Sequence, residues 1–435
     1  MTHLDATALL ELLKEKKTTP YELAHAFLDV IATKDTQLHA WEYIDNAVIE
    51  RQLAKIKTLD AKTHTLWGLP IGIKDIYNTF DMPTQMGSPI WKDFTPGNDA
   101  RVVHYLRRQG GIILGKTTTA EFAVHYQDKT RNPHDLTRSP GTSSSGSAVA
   151  VAADMVPVSF GSQTAGSIGR PASYCGVYGY KPTFGILPRV GVLKTTDTLD
   201  TLGFFTKSAR DLKLILDASR VGGKNYEYVH RYLDHYQHDP KRPFKIAILK
   251  HPKWHLASDV AKDRFMHFCE NLCDPLFQIE AIEYPISMES IHTLHGLIYD
   301  KTLSYYFREE FKQGTLVSPI FHDIITQGQK ITLEAYKEAL ELQAHLTQEL
   351  HAYFAPYDVI VTLATADEAP IGLTTPDIPD SNLIWTFLGM PTVSIPALKG
   401  KNGLPIGVLA ISKKYEDYRL LECVEKIQKE KNERV

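Results

Sequence analysis

Eight serines fall between Pro140 and Pro182: Ser143, Ser144, Ser145, Ser147, Ser159, Ser162, Ser167 and Ser173, set among glycine, alanine and short apolar residues. A serine hydroxyl attacks a carbonyl only when a neighbouring base takes its proton and N–H donors receive the oxyanion that forms. This stretch could supply the donors. Gly161-Ser162-Gln163-Thr164-Ala165-Gly166, leading to Ser167, is small enough to turn tightly, so that consecutive amides face one point as a backbone nest. Ser143 and its neighbours add hydroxyls able to relay a proton. A glycine–serine linker would be polar throughout, whereas Ala148-Val149-Ala150-Val151-Ala152-Ala153 is apolar and belongs inside a fold.

The base must come from elsewhere. Leu69-Pro70-Ile71-Gly72-Ile73 reads as a short buried strand that delivers Lys74 at its end. Most lysines are solvated surface charges, but one carried inward loses hydration of its ammonium form, its pKa falls, and the neutral amine can accept a proton. His125 and His134 stand in no obvious Ser-His-Asp frame, and no G-x-S-x-G elbow surrounds any of the serines. A serine–lysine arrangement fits better than a serine–histidine one.

Two other patterns are set aside. Gly110-Gly111-Ile112-Ile113-Leu114-Gly115-Lys116-Thr117 spells a phosphate loop, yet Ile112-Ile113-Leu114 makes the would-be loop a strand, which argues against nucleotide binding. The histidines of 230–238, and His292 with His295, match no zinc spacing and read as structural or solvated.

The elements that hold these residues alternate. Helices are expected over the first 58 residues, with Thr19-Pro20-Tyr21-Glu22 as a capped start. A helix follows from Asp99 to Leu106, then a strand at Ile112–Leu114, a small-residue helix after Ala148 and a strand at Val156–Phe160. Loops and short strands fill 176–205. Further strands are expected at Lys245–Leu249, Tyr357–Thr362, Val393–Ile395 and Ile406–Ala410, and helices at 258–273, 289–312, 332–353 and 415–431. Strand and helix in alternation indicate an α/β fold with helices on both faces of a sheet. There is no internal repeat.

Bulk properties narrow the class. The 435 residues carry 48 basic and 51 acidic side chains, which excludes the basic excess of a nucleic-acid binder. Four cysteines without paired spacing read as reduced thiols. Neither a leader pattern nor an 18-residue apolar run occurs, so a cytoplasmic location with no membrane contact is expected.

Taken together, Gly68-Leu69-Pro70-Ile71-Gly72-Ile73-Lys74-Asp75, Gly115-Lys116-Thr117 with Glu121-Phe122-Ala123, Arg131-Asn132-Pro133, the whole of 140–182, Asp200-Thr201-Leu202-Gly203, Trp385, Gly389-Met390-Pro391 and Gly403-Leu404-Pro405-Ile406-Gly407 resemble the amidase signature family nearly end to end. The resemblance implies a single large α/β/α sandwich on a mixed twisted sheet. An N-terminal helical segment (1–60) would pack on an amidase signature domain (61–435) whose region 222–350 is variable and mostly helical.

By resemblance, Ser167 falls on the acyl-forming nucleophile, Ser143 on the proton-relaying serine after a cis peptide bond, and Lys74 on the neutral base. The amides of Thr164, Ala165, Gly166 and Ser167 fall on the oxyanion hole. Neither a metal nor an organic cofactor is implied, and the partner is a small amide, with a homodimer as the common closed assembly. Thr142 departs from the usual glycine. Leu363 and Leu409 replace a proline and a glutamine.

Arg170, three residues after Ser167, resembles the malonamidase-type branch, where such an arginine holds a substrate carboxylate; the alternative is a structural arginine. The leading expectation is a free-standing amide hydrolase. A second is the glutaminase (A) subunit of a tRNA-dependent amidotransferase, which usually has two glycines where this chain has Ala165 and Gly166, and its arginine two residues after the nucleophile. A third, a non-enzymatic binding module, is disfavoured by the intact Lys74, Ser143 and Ser167.

Overall fold

The computed structural model describes residues 1–125, 129–222, 233–272 and 274–433. Its centre is an eleven-stranded mixed sheet. In chain order the strands are β1 (Trp41–Ile44), β2 (Pro70–Lys74), β3 (Ile112–Thr117), β4 (Val158–Gln163), β5 (Tyr178–Lys181), β6 (Thr201–Thr206), β7 (Phe244–Leu249), β8 (Phe277–Ile282), β9 (Val359–Leu363), β10 (Thr392–Lys399) and β11 (Pro405–Ile411). Across the sheet they run β1-β3-β2-β4-β6-β5-β10-β11-β9-β7-β8. Two parallel groups, β3-β2-β4 and β8-β7-β9, flank antiparallel pairings. Every residue of β2, β3 and β4 is buried, as expected of parallel strands covered on both faces.

The helices α1 (Ala6–Lys14), α2 (Pro20–Leu38), α3 (Asn46–Ile56), α4 (Arg101–Arg108), α5 (Ser145–Ala152), α6 (Gly169–Cys175) and α7 (Arg210–Ser219), with later ones at Asp259–Glu270, Ile291–Tyr306, Pro319–Lys330, Leu333–Tyr353 and Asp417–Glu433, flank the sheet. The start of α2 is as read: Thr19 Oγ1 accepts the Glu22 amide, and the Glu22 carboxylate accepts the Thr19 amide. Within the segment expected to be helical, β1 is an added strand that pairs antiparallel with β3. Four residues between two helices leave little periodic signal of their own. The strand β8 and the helix Pro319–Lys330 were also unanticipated.

The phosphate-loop spelling is strand throughout its final residues. Lys116 lies inside β3, where its Nζ meets Asp75 Oδ1 at 3.0 Å and donates to the Pro83 carbonyl and Thr84 Oγ1. Cys175, Cys269 and Cys423 are buried free thiols; Cys273 and the histidine cluster up to residue 232 lie outside the described residues. Among the described residues, no helix is long and apolar enough to cross a membrane.

Candidate active site

The parallel neighbours β2 and β4 bring Lys74 and Ser162 to the same end of the sheet. Between β3 and β4 the chain forms the turn that carries Ser143 and then α5. That helix contains Gly146, Ala148 and Ala150, and it sits close enough to its neighbours that a Cβ on Gly146 would lie 2.3 Å from the Ala40 carbonyl oxygen. The small residues, read from the sequence as packed inside the fold, are what admit the helix. The peptide bond between Thr142 and Ser143 is cis, as the resemblance implied, with Thr142 in place of glycine.

Lys74 has no solvent exposure. Its Nζ lies 2.8 Å from Ser143 Oγ, 2.9 Å from Ser144 Oγ and 3.0 Å from Ser162 Oγ. Burial pushes its pKa well below the ordinary lysine value, and the negative charge of Asp200 offsets this in part. Ser144 Oγ donates to the Ser162 carbonyl at 3.1 Å and accepts the Ser162 amide at 3.2 Å. The Ser144 proton is therefore already assigned, so the lysine must be the donor in its contact with Ser144. Sequence reading did not single out Ser144 and Ser162 from the other serines.

Ser167 follows β4 in the turn before α6 and is 6% exposed. Its turn adjoins the Ser143 turn: Gly141 stands against α6, where an added Cβ would be 3.1 Å from Pro171 N. Gln163 braces the Ser167 turn from inside. Its Oε1 accepts the Ile168 and Gly169 amides at 2.8 and 2.9 Å, and its Nε2 donates to Thr386 Oγ1. Thr164 Oγ1 donates to Asp200 Oδ1, whose carboxylate also accepts the Thr195 and Thr196 amides and hydroxyls. Among the described residues, the amides of Thr164, Ala165, Gly166 and Ser167 donate to no protein group.

Arg170 is buried and doubly paired. Its Nε donates to Asp380 Oδ2 at 2.9 Å and its Nη1 to Asp377 Oδ2 at 3.0 Å. Burial opposes its charge, but the two carboxylates outweigh burial and raise the guanidinium pKa. A cavity of about 360 Å³ reaches Arg170, Asp377, His125 and Ile320, and one of about 240 Å³ reaches Ser162, Thr164, Lys194 and Asp200. A larger one, about 510 Å³, lies between the helix Asp259–Glu270 and the C-terminal helix and contains none of these groups.

Known proteins share this architecture. The chain is 29% identical to the A subunit of the glutamyl-tRNA(Gln) amidotransferase of Koribacter versatilis, an alignment covering 98% of this chain and 97% of the relative. The native peptide amidase of Stenotrophomonas maltophilia superposes with a TM-score of 0.82 at 25% identity, covering 98% of this chain and 96% of that one. The corresponding glutamyl-tRNA(Gln) amidotransferase A subunit of Thermotoga maritima gives 0.79 at 25% identity, over 98% and 94%. The family model described as Amidase matches residues 22–421, a span holding both serine turns, the lysine strand and all eleven strands of the sheet that joins them, and this chain therefore belongs to the amidase signature family, whose members act on amide C–N bonds.

Proposed function

We propose that this chain hydrolyses the C–N bond of a small carboxamide, with Ser167 as nucleophile, Ser143 as proton relay and Lys74 as neutral base. The observation that carries this reading is the 2.8 Å contact between Lys74 Nζ and Ser143 Oγ in a fully buried setting. A neutral amine has two N–H bonds and one lone pair. With the N–H bonds directed to Ser144 and Ser162, the lone pair is left for the Ser143 proton.

As Ser143 gives its proton to Lys74, it takes one from Ser167, whose Oγ bonds to the carbonyl carbon. The carbonyl electron pair moves to oxygen, where the amides of Thr164, Ala165, Gly166 and Ser167 receive it. Collapse breaks the C–N bond, and the proton held by Lys74 returns through Ser143 to the departing amine. Water then attacks the acyl-enzyme along the same relay and releases the carboxylic acid.

The double ion pair of Arg170 favours a structural role over capture of a substrate carboxylate. A carboxylate brought to it would meet one positive group already facing two negative ones.

A fluorophosphonate should attach to Ser167, located by peptide mass spectrometry, and ammonia or amine release should follow from a panel of aliphatic amides, arylamides and carboxylated amides, with S167A as the blank. No adduct and no release from any amide would remove the proposal.

A second reading keeps the same acyl-enzyme but makes the chain the glutaminase component of a tRNA-dependent amidotransferase. The near full-length likeness to amidotransferase A subunits supports it, and on similarity it is the better supported of the two. The replacement of a usual glycine by Ala165 and the position of Arg170 speak for a free-standing hydrolase. Co-purification with partner proteins and glutaminase activity that depends on them would favour the amidotransferase component; turnover of small amides by the isolated chain, with a homodimer or monomer in solution, would favour the hydrolase.

A further inference from the structure

Three consecutive carbonyls in the Ser167 turn are each held by a different element. The Thr164 carbonyl accepts from His295 Nε2 at 2.8 Å, the Ala165 carbonyl from Thr386 Oγ1 at 2.8 Å, and the Gly166 carbonyl from the Arg170 amide at 3.0 Å. In a trans peptide the C=O and the following N–H point to opposite sides of one rigid plane. Anchoring these carbonyls therefore fixes the amides of Ala165, Gly166 and Ser167 on the far side.

Two of these anchors are ordinary for the turn: one is the amide of Arg170 in the first turn of α6, and Thr386 is itself held by Gln163, two residues before Ala165. The third comes from the helix Ile291–Tyr306, in the region expected to vary most, and reaches the turn across 131 residues. We infer that His295 is a positioning residue for the Ser167 reaction, one that holds the Thr164 carbonyl so that the Ala165 N–H faces the reacting oxygen. This role rests on the acyl-enzyme reading above.

The surroundings suit it. His295 is 3% exposed, and its ring stacks on Tyr299 with centroids 5.6 Å apart and 22° between planes. Because its partner is a carbonyl, Nε2 must carry the hydrogen, which sets the tautomer. Burial lowers the imidazole pKa to about 4, so at neutral pH the ring donates without adding a charge beside the nest. A rigid, stacked, uncharged donor can orient a peptide plane without competing for the oxyanion.

A merely structural histidine would satisfy the same buried carbonyl, so the test must separate stability from rate. The probe is a fluorophosphonate, whose phosphoryl oxygen needs the same amides, used on the full chain at neutral pH. H295F keeps an aromatic ring against Tyr299 but has no donor; H295Q loses the stack and keeps an N–H.

The expected order of Ser167 labelling rates is wild type, then H295Q within a few fold, then H295F slower by roughly ten- to a hundredfold, somewhat less than the loss of a whole oxyanion donor. In thermal melts H295Q should be no more stable than H295F. For an amide that the enzyme turns over, the H295F loss should fall on kcat and leave KM nearly unchanged. Labelling of H295F at the wild-type rate, or rates that simply follow stability, would overturn the role. Should H295F not give folded protein, H295L, which also lacks the donor, takes its place with the same labelling and melting readouts, and nitrogen-15 NMR of the wild type, with the signal assigned by its loss in H295Q, adds a necessary condition: a neutral Nε2–H tautomer at pH 7, so that an imidazolium or an Nδ1–H tautomer refutes the role. Absence of any Ser167 adduct in the wild type would instead remove the acyl-enzyme reading itself.

Discussion

Lys74 Nζ and Ser143 Oγ stand 2.8 Å apart, joined across 69 residues of chain by the turn that follows β3 and the end of β2. The lysine proposed as base is thus held by a strand while its partner is held just before a helix start, and neither can move without breaking a buried contact. Burial lowers the lysine pKa well below the ordinary 10.5, which makes a specific pH dependence follow. In the proposed mechanism the neutral amine is the active form, so kcat/KM should rise as pH rises through the depressed value and then level off. Stability has the same sign. Between the folded value and 10.5 the unfolded chain holds a proton on Lys74 that the folded chain lacks, so folding stability should increase with pH across that window. K74M should lose about 10²–10⁴ in rate and flatten both dependences. An acid limb that survives in K74M would show that a different group is the base.

Ser143 and Ser144 are adjacent and both touch the lysine, yet their protons have different destinations. The Ser144 proton is committed to the Ser162 carbonyl, whereas in the proposed relay the Ser143 proton is the one that the lone pair of neutral Lys74 takes. S143A should lose about 10²–10⁴ in the acylation rate. S144A removes an acceptor and a turn brace, and should cost closer to tenfold, the scale of a single net hydrogen bond of about 1–1.5 kcal/mol. Single-turnover acylation of a chromogenic amide measures both. Equal losses would mean that the two hydroxyls share the relay.

How much of this was legible beforehand differs by element. The apolar run into Lys74 and the alternation of strands and helices carry their own signal, because burial on both faces demands continuous apolar residues. The small residues after Ser144 marked close packing. Residue types alone, however, offered eight serines for two roles, and the resemblance to a family was needed to choose among them. β1 has four residues and no room for a period. Arg170 finds its carboxylates 207 and 210 positions away, and His295 finds a backbone carbonyl, so no local spacing could have reported either contact.

Arg170 gives a prediction that separates structure from substrate binding. Its removal strands the buried Asp380 and the partly buried Asp377 without their cation. Breaking such a pair typically costs about 3–5 kcal/mol. R170A should lose stability on that scale in urea unfolding, and its effect on KM should be similar for a carboxylated amide and a neutral one. A KM increase confined to the carboxylated amide, with stability unchanged, would restore the carboxylate-binding role.

Gly141 tests whether the two serine turns depend on each other. Its φ of +84° is a backbone state that residues with a Cβ rarely adopt, and an added Cβ would stand 3.1 Å from Pro171 N and 3.1 Å from the Tyr174 ring. The left-handed conformation alone costs an alanine about 1–2 kcal/mol. Backbone cannot swing aside as a flexible side chain can, so G141A must push the Ser143 turn away from the start of α6, and with it from Ser167. The expected result is a stability loss of at least that size together with a fall in kcat larger than any change in KM, since reacting groups displaced by about 1 Å can cost on the order of 10²-fold. Calorimetry and steady-state kinetics on the same preparation check both halves. Destabilisation with a normal kcat would mean that the turns fit independently, and that the relay tolerates more movement than contacts of 2.8 to 3.0 Å suggest.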